Sequence, residues 1–180
     1  LPICIAKLKP QSASAALDPI RALLLQAQTQ QQAGNIAAAA QTVSQALAIH
    51  PDHVDALQHM ASLQRQLRAP TQALALLQRA IILNPQRADL FNDLGIVFQE
   101  LGNLPKAISF HKRALKVDPR FVFAMINLGV AYKRQGKFDL AISAYQDALQ
   151  HAPHLAEAHN NLGNLLRLQG QLSQAKAHLQ

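Results

Sequence analysis

Asparagine residues recur at a fixed spacing in the second half of the sequence, and their side chains have the chemistry needed to hold peptide backbone. Asn161 follows Asn127 at the interval that separates Pro153 from Pro119, and Asn92, Asn160 and Asn164 lie close to the same pattern. An asparagine amide donates to a carbonyl and accepts from an N–H group, so a row of such amides can bind an extended chain without reading its sequence. These asparagines are the first candidates for a binding site.

Histidines are the second kind of side chain with chemistry to offer, and the chain has eight of them. His50 and His53 share one turn, as do His151 and His154, but the two pairs are far apart in the sequence. No cysteine or carboxylate cluster completes either pair into a metal site. The sequence also lacks a glycine-rich phosphate loop and a nucleophile paired with a base. We therefore predict no catalytic, cofactor-binding or metal-binding residue.

The elements that must position these side chains repeat at an interval of about 34 residues, which is the period of a helix–turn–helix array. One set of prolines and two sets of alanines keep this step: Pro51, Pro85, Pro119 and Pro153; Ala39, Ala73, Ala107, Ala141 and Ala175; Ala46, Ala80, Ala114 and Ala148. The pattern predicts four full repeats and a partial one, at 20–53, 54–87, 88–121, 122–155 and 156–180. Residues 1–19 do not match, and we expect a linker or a degenerate segment there.

The repeat at 122–155 shows how each unit is built. Apolar and small residues at helical spacing form one stripe on a first helix, Gly136 ends that helix, and Pro153 ends the second helix that follows. The stripe residues are Met125, Leu128, Gly129 and Tyr132 on the first helix and Ala141, Tyr145 and Ala148 on the second. The small members predict close helix packing, because a larger side chain would force the helices apart.

This pattern resembles the tetratricopeptide repeat (TPR), whose signature is a bulky residue, Leu-Gly, an aromatic, Ala, an aromatic, Ala and Pro. Besides the unit at 122–155, the residues that match best are Phe91, Leu94, Gly95, Phe98, Ala107, Ala114 and Pro119. The resemblance covers about residues 20–180. It implies an all-α fold, in which antiparallel helix pairs stack into a right-handed superhelical solenoid.

The resemblance also implies a binding surface, because in TPR arrays the other face of the first helices lines a concave groove for extended peptides. The residues predicted to form this peptide-binding site are Asn92, Asp93, Ile96, Phe123, Ile126, Asn127, Val130, Arg134, Asn160, Asn161 and Asn164. Asn127 and Asn161 would hold peptide backbone, in a row similar to the asparagine ladder of O-linked N-acetylglucosamine transferases. The alternative is that these two asparagines make only a local cap or a water contact.

An apolar patch accompanies the asparagines on the predicted groove. Its members are Ile96, Phe123, Ile126 and Val130. Exposed apolar clusters of this kind mark interaction sites, so the patch is expected to take an apolar side chain of the ligand. The alternative is that an adjacent helix or the N-terminal segment covers it.

Charge separates the predicted groove from the rest of the molecule. The chain has a formal net charge of +7, but in the groove Arg21 and Arg134 face five carboxylates, for a net charge of −3: Asp55, Asp89, Asp93, Glu100 and Glu157. This balance predicts a neutral or basic peptide ligand. Lysines and arginines fall mostly on second helices and turns, so no nucleic-acid partner is expected. Some TPR domains bind the C-terminal tails of heat-shock chaperones through the terminal carboxylate. We do not expect that partner here, because Glu157 would repel such a carboxylate.

The function that follows is a protein- or peptide-binding scaffold without catalysis of its own. The alternative is the substrate-recruiting arm of a larger transferase, either a glycosyltransferase similar to the O-linked N-acetylglucosamine enzymes or a sulfotransferase. We expect a soluble, cytoplasmic protein without a membrane partner, because no apolar run reaches the roughly 18 residues of a membrane span. The last repeat stops short of its closing Ala and Pro, so we expect a longer natural chain, and self-association through Leu172, Ala175 and Leu179.

Overall fold

The computed structural model describes residues 19–179, and within this range the chain forms ten α-helices and no strand. The helices are α1 (Pro19–Gln32), α2 (Ile36–Ile49), α3 (Val54–Gln66), α4 (Pro70–Leu83), α5 (Ala88–Glu100), α6 (Leu104–Val117), α7 (Val122–Arg134), α8 (Phe138–His151), α9 (Ala156–Leu168) and α10 (Leu172–Leu179). They pack as consecutive pairs, in which the odd-numbered members are the first helices and the even-numbered members are the second helices. The predicted all-α solenoid of helix pairs is confirmed.

The predicted boundaries between repeats stay predictions, although corresponding helices of successive pairs begin one repeat length apart for most of the chain. The segment 1–19, predicted as a linker or degenerate segment, lies outside the described residues except for Pro19. That proline is the first residue of α1. Its position suits the start of a helix, where the missing N–H group would have no partner inside the helix.

A residue in the left-handed backbone region lies in every turn from a first helix to a second helix within residues 19–179. Glycine occupies four of these turns, at Gly34, Gly102, Gly136 and Gly170, with φ between 75° and 79°. Glycine adopts this conformation without a steric cost because it has no Cβ. Arg68 holds the corresponding position in the second pair, with φ of 61°. The repeat therefore imposes the same backbone conformation even where its usual residue is absent.

The core is a series of apolar clusters that consecutive helices share. One cluster joins α1, α2 and α3, a second joins α3, α4 and α5, and a small third cluster joins α5, α6 and α7. The last and largest joins α7, α8, α9 and α10 around Tyr145 and Leu162. Because α3, α5 and α7 each contribute to two clusters, every pair depends on its neighbours for burial, as in other solenoids.

Close packing between the two helices of a pair requires glycine at Gly95 and Gly129. A Cβ built on Gly129 would lie 2.5 Å from Cε1 of Tyr145, and one on Gly95 would lie 2.6 Å from Nδ1 of His111. Both rings are fully buried, so neither can move aside easily. The packing role predicted for the Leu-Gly glycines is therefore present in the third and fourth pairs.

Candidate functional site

Several polar side chains bridge neighbouring first helices between positions that are 35 residues apart. Gln58 on α3 donates from Nε2 to Oδ2 of Asp93 on α5 at 2.7 Å. Asn127 on α7 donates from Nδ2 to Oδ1 of Asn92 on α5 at 3.0 Å. We call the surface that carries these bridges the first-helix face.

A second row of bridges with the same register lies near the ends of the first helices. Arg65 on α3 pairs with Glu100 at the end of α5, with 2.7 Å between Nη2 and Oε1. Arg134 at the end of α7 donates from Nη1 to the carbonyl oxygen of Gln99 at 2.9 Å. The same carbonyl oxygen also accepts from the backbone N–H of Gly102 at 3.1 Å, so the bond from Arg134 is an additional one that ties α5 to α7.

The same register leaves the junction between α7 and α9 without polar bridges. The next partners along the two rows are Ile126 with Asn161, and Lys133 with Leu168. One member of each pair is apolar, so no hydrogen bond can form between the two side chains. Within residues 19–179, the Asn161 amide and the Lys133 ammonium form no hydrogen bond or ion pair. This junction therefore carries polar groups that have no partner among the described residues.

A buried amide–imidazole network fixes the asparagines at the junction between α5 and α7. The ring of His111 on α6 contacts Asn92 Oδ1 through Nδ1 at 3.1 Å and Gln99 Nε2 through Nε2 at 2.9 Å. Gln99 also donates from Nε2 to the carbonyl oxygen of Asn127 at 3.2 Å. Every contact is satisfied if His111 is neutral and carries its proton on Nδ1. Burial lowers the pKa of His111 to about 4, which favours that neutral form.

Two of the predicted site residues lie in the interior, which corrects their assignment to the open groove. Asn92 is 5% exposed, and its carbonyl oxygen is occupied by His111 and Asn127. Ile126 is 1% exposed and belongs to the apolar cluster of α7 to α10. Neighbouring first helices pack against each other at these positions. Asn92 and Ile126 are therefore buried beneath the first-helix face and cannot contact a ligand directly.

The other apolar residues of the predicted patch reach the surface to different degrees. Phe123, near the start of α7, is 54% exposed, and its ring lies edge-on to Phe121 with 6.4 Å between centroids. Ile96 on α5 and Val130 on α7 are half-buried. The patch is therefore smaller than the sequence suggests, with Phe123 as its most accessible member.

The α9 asparagines differ from Asn127 in having no partner in the described part of the chain. Asn127 is half-buried and held by Asn92, and its own Oδ1 has no bond to another residue of that part. Asn160 and Asn164 are exposed and Asn161 is half-buried. Among the described residues, none of these three side chains forms a hydrogen bond. The described residues thus include one anchored amide on α7 and three unbonded amides on α9.

The carboxylates of the first-helix face are largely neutralised by two arginines that the sequence reasoning missed. Arg87, at the N-cap of α5, forms ion pairs with Asp55 and Asp89 and donates to Gln58 Oε1 at 2.6 Å. Burial alone would raise the pKa of Asp89, but hydrogen bonds from Arg87 and Gln58 outweigh it and hold that pKa below its usual range. Arg65 neutralises Glu100 in the same way.

These pairs correct the expected charge of the face, because the count of −3 omitted Arg65 and Arg87. The position of Arg65 could have been recognised from the sequence spacing. Arg65 and Glu100 are 35 residues apart, which is also the separation of Gln58 and Asp93. Asp93 itself has no ion pair within residues 19–179. Burial raises its pKa, although the hydrogen bond from Gln58 opposes that shift. With Arg65 and Arg87 included, the net charge of the counted residues is −1 instead of −3, and the expected preference for neutral or basic peptides stays a prediction.

An open cavity of about 660 Å³, which we call the α7–α9 cavity, lies where the first helices α7 and α9 end. Its lining residues are Lys133, Arg134, Phe138, Asn164, Leu165, Arg167 and Leu168. The charged residues of this lining are all basic. Arg134 and Asn164, both predicted site residues, therefore lie together at one end of the first-helix face.

Three histidines meet near the end of the chain, which sequence spacing alone did not indicate. His154, His159 and His178 line a cavity of about 470 Å³. His159 Nδ1 lies 2.9 Å from His178 Nδ1, and His159 Nε2 lies 2.7 Å from the carbonyl oxygen of Pro153. Burial and the neighbouring His159 lower the pKa of His178. His50 and His53 contact each other far from this cluster, with 6.0 Å between ring centroids.

Residues 19–179 contain no group of three or more His, Cys, Asp or Glu side chains arranged to hold a metal ion. In the same part of the chain, no helix combines the length and the apolar character that crossing a membrane would require.

The apolar face of α10 is only partly as expected from the sequence. Leu172 is 66% exposed, but Ala175 is buried in the cluster of α7 to α10. The side chain of Leu179 lies outside the described residues. Self-association through this face stays a prediction.

Comparison with known proteins gives the same fold. Sequence profiles of the tetratricopeptide repeat match residues 122–180 and 30–94. TTC0263, a thermophilic TPR protein of Thermus thermophilus, superposes with a TM-score of 0.80 at 24% identity, covering 88% of this chain and 87% of that one. The type IV pilus biogenesis factor PilW superposes with a TM-score of 0.81 at 22% identity, covering 91% of this chain and 76% of its own.

A third similar structure is YrrB, a TPR protein with an unusual peptide-binding site. It superposes with a TM-score of 0.62 at 19% identity, covering 89% of this chain and 82% of YrrB. A search of the curated proteins finds no match to the sequence. Stacked helical repeats of this kind present extended surfaces on which other proteins bind. The two profile matches together cover more than half of the chain, and the protein therefore belongs to the tetratricopeptide-repeat family of protein-interaction scaffolds.

Proposed function

We propose that the first-helix face of α5, α7 and α9 binds an extended peptide segment of a partner protein. The observation that carries this proposal is the open junction between α7 and α9, where unbonded amides of α9 accompany an exposed phenylalanine on α7. Between α3 and α5 and between α5 and α7, the bridging polar groups satisfy one another, so a ligand gains little by displacing them. At this junction a ligand supplies hydrogen bonds that the protein itself leaves unmade.

The binding mode follows from the chemistry of each side chain. Asn127 is oriented by Asn92 and offers its free Oδ1 to a peptide N–H group. Asn161 and Asn164 offer both donors and acceptors to peptide backbone. Phe123 takes an apolar side chain of the ligand, and Val130 lies about two turns further along the same helix. Because Asn127 is already held in place, binding does not have to order its side chain.

The charge preference predicted from the sequence does not form part of this proposal. Asp55, Asp89 and Glu100 are ion-paired within the protein, so they are poor partners for a basic peptide. No residue of the first-helix face specifically supports the hypothesis that the chain is the substrate-recruiting arm of a transferase, and that hypothesis stays a prediction.

A selection from a random-peptide display library on the immobilised 180-residue chain tests the proposal. Peptides enriched by the parent protein are synthesised with a fluorophore, and their dissociation constants are measured by anisotropy. Phe123→Ala and Asn161→Ala are each expected to weaken binding about tenfold, which corresponds to about 1.4 kcal/mol at a central contact.

Gln150→Ala is the matched control, because this exposed amide lies on second helix α8 and not on the first-helix face. It should leave the dissociation constants unchanged, and circular dichroism should show all variants folded. If Phe123→Ala and Asn161→Ala bind the selected peptides as tightly as the parent does, or if no peptide is enriched, the proposed site is wrong.

A further inference from the structure

We propose that the α7–α9 cavity binds an acidic side chain of the peptide beside an apolar one, so that the partner segment is acidic. This inference rests on the proposed function of the first-helix face and adds the chemistry of its ligand. It also reverses the charge preference expected from the sequence, which was for neutral or basic peptides.

Three cations from two helices converge on the cavity. Lys133 and Arg134 end α7, and Arg167 lies in the last turn of α9. No acidic side chain lines the cavity, and none of the three cations has an ion pair among the described residues. Asp139, in the first turn of α8, is the nearest acidic residue in the sequence, but it does not line the cavity.

The register of the first helices explains why Lys133 lacks a partner on α9. Arg65 stands at the equivalent position on α3, two repeats before Lys133, and there Glu100 neutralises it from the neighbouring first helix. The residue that faces Lys133 in the same register is Leu168, which cannot neutralise it. An external carboxylate would therefore take the place at α7 and α9 that Glu100 takes at α3 and α5.

The last turn of a helix favours positive charge because its carbonyl groups carry partial negative charge. This accounts for a cation at the end of each helix, but not for the convergence of three cations on one cavity. Arg134 already donates one N–H group to the carbonyl oxygen of Gln99. The guanidinium of Arg167 has no hydrogen bond among the described residues, so its planar pair of donors is available to a carboxylate.

The remaining walls of the cavity select for an apolar neighbour of the acidic group. Leu168 is 67% exposed, and Phe138 and Leu165 complete an apolar side. A volume of about 660 Å³ is within the usual range for a ligand site. Covering Leu168 removes apolar surface from water, while the exposed charges confer specificity and salt dependence.

The test repeats the peptide selection with a double variant, Lys133→Gln with Arg167→Gln, on the full 180-residue chain. Peptides selected by the parent protein should be enriched in Asp or Glu next to an apolar residue. Their affinity should fall at least tenfold in the double variant and should decrease as the salt concentration rises. Peptides selected by the double variant should lose the acidic bias.

Lys116→Gln with Lys176→Gln is the matched control, because it removes the same charge from exposed lysines on second helices α6 and α10. An equal loss of affinity in this control would show a general charge effect and overturn the inference. So would neutral or basic peptides that bind in a Phe123-dependent way, although the proposed function would then stand. If no peptide is selected at all, both proposals fail.

A single-stranded polyuridylate, added as a competitor, distinguishes an acidic peptide from a nucleic acid. Displacement of the selected peptides only at a large excess of the polymer supports a peptide site. Tight polyuridylate binding that requires Lys133 and Arg167 would overturn the inference, because the cavity would then serve phosphate groups instead of carboxylates.

Discussion

At the scale of single residues, Arg68 carries a backbone strain that its four equivalent glycines avoid. Its φ of 61° lies in the left-handed region, which costs a residue with a Cβ about 1–2 kcal/mol. Glycine removes this strain but loses about 0.5–1 kcal/mol in chain entropy. Because the Arg68 side chain is exposed and has no ion pair among the described residues, Arg68→Gly should raise the free energy of unfolding by about 0.5–1 kcal/mol, measured by urea denaturation.

The reciprocal substitution is the control for Arg68. Gly102→Arg places a side chain on the same backbone conformation, at φ of 75°, where a Cβ meets no neighbouring atom. Steric clash is absent there, so any loss of stability reports the backbone alone. An Arg68→Gly protein that is less stable than the parent would contradict the strain argument.

Gly129 is constrained by packing instead of by its backbone. Gly129→Ala puts a methyl group 2.5 Å from the buried ring of Tyr145, so the helices of the fourth pair must separate. Overpacking of this kind lowers the free energy of unfolding by about 1–3 kcal/mol. The same substitution in a Tyr145→Leu background should cost less, and the difference between the two costs measures the contact. Equal costs in both backgrounds would exclude the Tyr145 ring as the cause.

At the scale of elements, an asparagine occupies the N-cap position of two second helices, α2 and α6. Only one of these asparagines forms a capping hydrogen bond. Asn103 accepts from the backbone N–H of Lys106 at 3.2 Å at the start of α6, whereas Asn35 makes no such bond at the start of α2. Asn103→Ala should therefore cost about 1 kcal/mol. Asn35→Ala is the matched control and should cost well under half of that in the same urea experiment. Similar losses at both sites would show that the bond is not what stabilises α6.

The helix pairs could be predicted from the sequence because close helix packing restricts residue type at fixed positions. Ala107, Ala114 and Ala148 are fully buried, and such positions accept only small side chains. The spacing of these alanines in the sequence therefore predicts where the two helices of each pair pack together. The glycines of the left-handed turns predict the turn positions in the same way.

The surface was less predictable because it depends on contacts between pairs. A helical wheel of α7 assigned Ile126 to the open groove, but packing against the next first helix buries it. The same treatment could not show that Arg87 reaches across to Asp55, since the two are 32 residues apart and lie in different pairs. Charges and exposed patches of a solenoid must therefore be counted across neighbouring pairs.

At the scale of the whole molecule, the junction between the third and fourth pairs differs from the others in its chemistry. The apolar cluster shared by α5, α6 and α7 has three fully packed members, Phe91, Ala114 and Ala124. The His111 network with Asn92, Gln99 and Asn127 adds polar contacts at this place. Because each pair contacts only its neighbours, weakening this junction weakens the coupling between the two halves of the array.

Acid should weaken this junction through His111. Its pKa in the folded protein is about 4, below the ordinary value of 6.5, because burial disfavours the charged ring. The unfolded chain therefore binds more protons between these pH values, and the free energy of unfolding is highest above pH 6.5 and falls as the pH drops towards 4. The loss attributable to His111 is at most about 3 kcal/mol.

His111→Tyr isolates that contribution, because Tyr145 shows that a tyrosine ring fits over the equivalent glycine. Urea denaturation of the parent and the variant, followed by circular dichroism from about pH 7 to about pH 4.5, measures both slopes. The variant is expected to start less stable, since Gln99 and Asn92 lose their imidazole partner, but to lose less stability per pH unit. His59 and His178, whose pKa values burial also lowers, contribute to the slope that remains, whereas Asp93, whose pKa burial raises, opposes it. Equal slopes in the two proteins would mean that acid acts elsewhere and that the junction between the third and fourth pairs does not limit the array.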